Sequence, residues 1–205
     1  MMMNDQNRLT QPSDLKEPRI PWIIVADASS SMVEREAELR RVIGEIRQGV
    51  LEDAYLREQV DMSLITAAGT PCVVQPFVQA ERFAMPEQLE FAGMSPMYGA
   101  LHMALETLQA YKKACCASDV SVRQPILWVL TDGDATDEDD GICAELGKLK
   151  EARELILLYV HVGDDYDRAR MPGLSRLSIQ SADMDFVRLI RQLYKAPAYP
   201  SDWQD

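Results

Sequence analysis

The chain has 205 residues, a length that favours one domain with a substantial core. Its 47% apolar and 26% charged residues are ordinary for a globular protein and exclude bulk disorder and fibrous repeats. With 33 Asp and Glu against 21 Lys and Arg, the formal net charge is −12. Such a surface repels nucleic-acid phosphates, so no nucleic-acid partner is predicted.

The composition also bears on the compartment. The two longest apolar runs, Ile20–Ala26 and Ile126–Leu130, are far shorter than the roughly 18 residues of a membrane helix, so no membrane partner is predicted. The N-terminal sequence MMMNDQNRLTQPSD lacks the apolar segment of a signal peptide. The four cysteines show neither a CxxC motif nor a Cys/His spacing typical of zinc. These features predict reduced thiols and a cytoplasmic location.

The predicted elements begin with a strand at Ile20–Ala26, whose uninterrupted apolar sequence is typical of a strand buried on both faces. After the polar loop DASSSM, apolar residues spaced three and four apart predict a helix over Glu34–Tyr55. Its predicted buried face consists of Leu39, Val42, Ile43, Ile46 and Val50. Val60–Thr66 and Cys72–Val78 resemble strands, and the turn signal Gly69-Thr70-Pro71 between them predicts an antiparallel hairpin.

The second half of the chain continues the alternation of strands and helices. Residues 79–96 are predicted to be irregular, because Pro86 and Pro96 interrupt them. The later elements are a helix from about Tyr98 to Cys116, a strand at Pro125–Thr131, a helix at Ile142–Ala152, a strand at Leu155–Val162, a short strand at Leu174–Ile179 and a closing helix at Asp183–Leu193.

This order predicts a single three-layer α/β domain over residues 18–195. Its sheet is expected to be mainly parallel and six-stranded, with one antiparallel edge strand. Residues 1–17 and 196–205 are predicted to be tails.

Two of the apolar strands end directly in an aspartate, Asp27 and Asp132. Aspartate often caps a helix or starts a turn at such a place. Ligands of open α/β sheets, however, bind beyond the carboxyl ends of the strands. Ser29 and Ser31 follow Asp27 at alternate positions, so three oxygens can converge on one point, as a hard divalent cation requires. Ser95 can supply another hydroxyl.

The sequence Asp27-x-Ser29-x-Ser31 resembles the first loop of the metal-ion-dependent adhesion site (MIDAS) of von Willebrand factor A (vWA) domains. Ser95 stands where that family has Thr, and Thr131-Asp132-Gly133 matches its third element. The resemblance covers about Arg19–Leu193 and implies a three-layer αβα, Rossmann-like fold. The Ser-Pro loop looks most like the bacterial tellurium-resistance-associated branch. Ser30 departs from the glycine of many members.

The resemblance implies a binding function with no reaction. Ser29, Ser31 and Ser95 would touch the metal, and Asp27 and Asp132 would bind it directly or through water. Because hydroxyls neutralise no charge, the cation would stay electrophilic and accept an Asp or Glu of a protein partner. Mg²⁺ is the expected ion, although Ca²⁺ and Mn²⁺ accept the same oxygen ligands.

The surroundings of this predicted site suggest how a partner is selected. Met94, Met97 and Tyr98 are expected to add apolar contact beside the metal. Without a cation, Asp27, Asp132 and the acidic run up to Asp140 are expected to repel an acidic partner, so binding should depend on metal.

Two other functions fit the same residues. Asp132-x-Asp134-x-Thr136 after a strand resembles haloacid-dehalogenase phosphatases, which would make the protein a metal-dependent phosphohydrolase. A scaffold domain without a functional metal is the other. A calcium EF-hand is excluded, because Asp137 and Cys143 replace its required Gly and Glu. No nucleophile–base pair can be assembled, so no enzyme activity is expected.

Overall fold

The computed structural model describes residues 17–133, 135–163, 178–180 and 189. In chain order the elements are β1 (Ile20–Asp27), α1 (Glu36–Leu51), α2 (Ala54–Gln59), β2 (Val60–Ala68), β3 (Thr70–Gln79), α3 (Met97–Ala117), β4 (Ile126–Thr131), α4 (Ile142–Glu151), β5 (Ile156–His161) and β6 (Ser178–Gln180). A 3₁₀ helix, Ser30–Arg35, leads into α1.

The strands form one sheet in the order β3-β2-β1-β4-β5-β6. All neighbouring pairs are parallel except β2 and β3, which are antiparallel. The last strand, β6, consists of three residues and pairs with β5. Every residue of β1 is buried, since β1 lies between β2 and β4 with helices over both faces. The predicted α/β fold with a mainly parallel sheet and an antiparallel edge strand is confirmed.

Alternate residues of β1 belong to two different cores, because successive side chains of a strand point to opposite faces. Trp22, Ile24 and Ala26 pack in one cluster with α1, whose predicted apolar face is buried throughout. Ile23 and Val25 pack in the other cluster with α3 and α4. The molecule therefore has the expected three layers. The last residue of β1, Asp27, lies at the carboxyl end of this central strand.

The helix predicted over Glu34–Tyr55 is wrong in its extent. The chain forms the 3₁₀ helix first, then α1, and then a separate helix α2. The break occurs because Asp53 adopts an extended conformation and its side chain accepts hydrogen bonds from the backbone N–H groups of Tyr55 and Leu56. An aspartate that caps a new helix in this way ends the preceding one.

Several predictions fall outside the described residues. The closing helix at Asp183–Leu193 is described only at Leu189, which is helical and buried. Leu174 and the tail 196–205 are not described, so the domain boundaries stay predictions. Within the described part of the chain, none of the helices has the length and apolarity that a membrane crossing needs.

A buried ionic cluster closes the amino ends of β1 and β2. Arg19 is fully buried, and its Nε donates to Oδ2 of Asp61 at 2.9 Å while a second guanidinium nitrogen contacts Oδ1. The hydroxyl of Tyr111 donates to the same carboxylate. Burial and the charge of Asp61 raise the pKa of Tyr111 far above its usual value, so its hydroxyl stays a donor. Burial alone would lower the pKa of Arg19, but Asp61 raises it overall.

Candidate metal site

The candidate site lies at the carboxyl ends of β1 and β4. These strands are parallel neighbours, with Ala26 opposite Leu130, so Asp27 and Thr131 end side by side. The loop before α3 brings Ser95 to the same place. Three segments distant in the chain therefore meet at one edge of the sheet.

Asp27 is the centre of this meeting point. Its carboxylate is fully buried, where Oδ1 accepts the backbone N–H of Ser29 at 2.9 Å. Oδ2 accepts the hydroxyls of Ser95 at 2.7 Å and Thr131 at 2.8 Å. The hydrogen bond from Ser29 forms a local turn, as expected of an aspartate that starts a turn at the end of a strand. The other two bonds connect it to the Ser95 loop and to the last residue of β4, which a simple turn or cap does not require.

Ser29 and Ser31 are arranged as their alternate positions predict. Their hydroxyl oxygens are 3.1 Å apart. Ser29 is 4% exposed, whereas Ser31 lies open to solvent. The pair therefore extends from the buried carboxylate of Asp27 to the molecular surface. The intervening Ser30 is exposed and its backbone N–H donates to the carbonyl of Gly93 at 3.1 Å, which joins this loop to the Ser95 loop.

Asp132 reaches the same edge but has a partner that sequence reasoning missed. Its Oδ2 lies 3.3 Å from a guanidinium nitrogen of Arg35, at the end of the 3₁₀ helix. That nitrogen also donates to the carbonyl oxygen of Val162 at 3.2 Å. The available signal was a basic residue about one helical turn beyond Ser31. Hydrophobic spacing does not reveal such a contact.

The acidic loop that follows Asp132 is attached to the Ser95 loop and α3. The backbone N–H of Thr136 donates to the carbonyl of Ser95 at 2.9 Å. Asp137 accepts the N–H groups of Tyr98 at 3.2 Å and Gly99 at 2.7 Å, at the first turn of α3. Asp137 is therefore a structural contact of α3, whereas Glu138, Asp139 and Asp140 are exposed. Asp134 lies outside the described residues.

We expect Asp137→Ala to lower the free energy of unfolding by about 1 kcal/mol, the usual cost of removing a helix cap. The carboxylate satisfies two N–H groups that have no partner within α3. Glu138→Ala is the matched control, since its side chain is exposed one position away. Urea denaturation measures both, and equal midpoints for the two variants would contradict the cap.

The rim of the site carries two exposed apolar side chains. Met94 is 63% exposed and Val33 is 53% exposed. The Met94 carbonyl accepts the N–H of Gly69, a turn residue with φ of +62°, so the hairpin tip supports this loop. Met97 is fully buried against the sheet, so the expectation that it contacts a partner is wrong. Tyr98 is partly buried, and burial followed by neighbouring Cys143 and acidic groups raises its pKa.

None of the candidate donors is a histidine or a cysteine. His161 is buried in β5, opposite Thr131 of β4, and His102 lies on α3 beside Asp140. All four cysteines are free thiols. A cavity of about 640 Å³, lined in part by Lys112, Arg123 and Arg153, opens before β4, and none of the predicted site residues lines it.

The donor chemistry fits a hard divalent cation. The described residues contain no group of three or more His, Cys, Asp or Glu side chains placed to hold a metal. The candidate donors are instead the hydroxyls of Ser29, Ser31 and Ser95 and the carboxylates of Asp27 and Asp132. Such an all-oxygen set suits Mg²⁺, Ca²⁺ or Mn²⁺. That these five residues bind a metal stays a prediction.

No protein-family profile and no curated protein matches the sequence. Solved structures of vWA-like domains share the fold. The pilus adhesin SpaC from Lactobacillus rhamnosus GG superposes with a TM-score of 0.61 at 14% identity, over 88% of this chain and 30% of the adhesin. An aerotolerance-related membrane protein from Bacteroides fragilis superposes with a TM-score of 0.55 at 13% identity, over 86% of this chain and 97% of that protein.

Proximal thread matrix protein 1 from the mussel byssus is also similar, with a TM-score of 0.59 at 13% identity over 86% of this chain. The chain spans 47% of that protein's length. Another structure of the mussel protein, with a TM-score of 0.56 at 14% identity, has a zinc-occupied MIDAS motif. At such low identities the likeness establishes the fold alone.

Proposed function

Starting from a chain with a vWA-like fold, we propose that it is a metal-dependent protein-interaction module. Ser29, Ser31 and Ser95 hold Mg²⁺ together with Asp27 and Asp132, and a partner carboxylate completes the coordination. The observation that carries this proposal is the convergence of three segments, the Ser29 loop, the Ser95 loop and the end of β4, on the buried carboxylate of Asp27. The zinc-occupied motif of the structurally similar mussel protein supports the binding of a divalent ion by a domain of this fold.

The residues of the proposed site have different roles in binding. Asp27 is buried and orients the hydroxyl of Ser95 through a 2.7 Å hydrogen bond. Ser31 is exposed and lies at the mouth of the site. A bound cation that is coordinated largely by uncharged hydroxyls remains electrophilic and can bind an incoming carboxylate oxygen. Val33 and Met94 provide apolar area beside that position.

We further propose that the protein binds its partner without catalysing a reaction. The serine hydroxyls of the site contact one another or Asp27, and His102 contacts Asp140. Metal-dependent hydrolysis of a generic phosphomonoester that is lost in Asp134→Asn would contradict this and favour the phosphohydrolase. We also propose a cytoplasmic location, because the four cysteines are free thiols. A bacterial stress or tellurium-resistance-type system is proposed because of the resemblance of the Ser95-Pro96 loop.

The test compares adjacent serines. We expect Ser31→Ala to weaken Mg²⁺ binding in calorimetry at least tenfold, because it removes a ligand oxygen. Ser30→Ala is the matched control and should bind as the unchanged protein does, since the Ser30 side chain is exposed and its contact is made by the backbone.

The same variants test the binding of partners. Proteins retained on the immobilised chain with Mg²⁺ should elute with chelator, and Ser31→Ala should not retain them. Retention that survives excess chelator, or that is equal for Ser30→Ala and Ser31→Ala, would contradict the proposed function.

A further inference from the structure

Arg35 holds a fixed position beside the candidate metal site. One guanidinium nitrogen lies between Oδ2 of Asp132, at 3.3 Å, and the carbonyl oxygen of Val162, at 3.2 Å. The guanidinium also lies flat against Gly163, where an added Cβ would be only 2.7 Å from Cζ of Arg35. Gly163 has a φ of +128°, which glycine adopts readily. The backbone at the end of β5 is therefore shaped to receive this side chain.

The position of Arg35 changes the charge balance of the site. Asp27 and Asp132 supply two negative charges, and a divalent cation alone would neutralise them. Arg35 adds a third positive charge in contact with Asp132, whose side chain is only 14% exposed. Attraction and repulsion between such groups are weakly screened when they are partly buried. With a divalent cation bound, Asp27, Asp132 and Arg35 together carry one excess positive charge, and a partner carboxylate would neutralise it.

We infer that Arg35 sets the affinity of this site: it weakens the binding of a divalent cation alone and makes cation and partner carboxylate bind cooperatively. The inference rests on the proposed function and adds its regulation. Arg35 shares the negative charge of Asp132 and repels the cation. An incoming carboxylate relieves that repulsion, so each ligand raises the affinity for the other by the same factor.

The experiment is a calorimetric titration of the full chain with MgCl₂. Arg35→Gln, which keeps a hydrogen-bond donor but removes the charge, is expected to raise the Mg²⁺ affinity about fivefold to tenfold. Arg35→Lys keeps the charge and should therefore bind Mg²⁺ less tightly than Arg35→Gln does. Arg57→Gln is the matched control for net charge, since Arg57 lies on α2, before the amino end of β2, and it should have no effect.

The outcomes separate this inference from the proposed function. An unchanged or lower Mg²⁺ affinity in Arg35→Gln, with binding in the original protein intact, would overturn the inference alone and make Arg35 an orienting residue for Asp132. Binding that appears only in Arg35→Gln would support the inference and contradict the proposed function of the original chain. Absence of Mg²⁺ binding in every variant would overturn both. Circular dichroism confirms that each variant is folded.

Discussion

Replacing Arg19 with methionine is expected to lower the free energy of unfolding by about 3–5 kcal/mol, the usual cost of leaving a buried charge without its partner. Arg19 is fully buried and Asp61 is 5% exposed, so little solvent can compensate the remaining carboxylate. Tyr111 would still donate to Asp61, but a neutral hydroxyl does not replace the guanidinium charge. Urea denaturation followed by circular dichroism measures the loss.

The double replacement Arg19→Met with Asp61→Leu is the control for this pair. Removing both charges together is expected to recover most of the stability, because buried ion pairs often contribute little beyond their mutual compensation. Some loss should remain, since the Tyr111 hydroxyl then lacks its acceptor. A single variant that unfolds at the same urea concentration as the original protein would contradict a compensating role for Arg19.

Replacing Asp27 with asparagine is expected to weaken Mg²⁺ binding roughly 30-fold or more, the effect of about 2–5 kcal/mol for a lost charge at a desolvated contact. The variant should also lose about 1–3 kcal/mol of stability, because an amide has one acceptor oxygen where the carboxylate has two. Either the N–H of Ser29 or the hydroxyls of Ser95 and Thr131 then lose their acceptor. Calorimetry measures the first effect and urea denaturation measures the second.

Thr131→Val separates these two effects. It removes a hydroxyl that donates to Asp27 at 2.8 Å and accepts the backbone N–H of Gly133 at 3.0 Å, but it leaves the carboxylate charged. Stability should fall by about 1–3 kcal/mol, the range for two hydrogen bonds, while Mg²⁺ binding is retained. If Asp27→Asn binds Mg²⁺ as tightly as Thr131→Val does, Asp27 is a structural centre and not part of a metal site.

Much of the fold follows from local patterns in the sequence. The uninterrupted apolar runs that become β1 and β4, and the three-and-four spacing on α1, are sufficient because burial of apolar area depends on periodicity within one element. The same reasoning placed Asp27 and Asp132 at strand ends. Two parallel strands side by side then bring their ends to one edge.

The spacing of apolar residues does not predict which polar groups bind to each other. Asp53 ended the predicted helix early because its side chain capped a new one, an outcome decided by competition between two local hydrogen-bond patterns. Met97 stands in a sequence that looks like an exposed loop, yet it begins α3 and faces the sheet. The helix begins one residue earlier than predicted, and that residue is buried.

The sequence by itself therefore determined the layers, the hairpin, and the edge of the sheet where Asp27, Ser29, Ser31, Ser95 and Asp132 are found. Only the tertiary structure decided which groups balance the buried charges. Thr131 reaches Asp27 across 104 positions, and Arg19 reaches Asp61 across 42. Arg35 was likewise assigned to Asp132 by the packing of the 3₁₀ helix against the end of β5. The physical reason is that apolar burial is non-directional and recorded in spacing, whereas hydrogen bonds and ion pairs act within a few ångströms and depend on the final positions of distant segments.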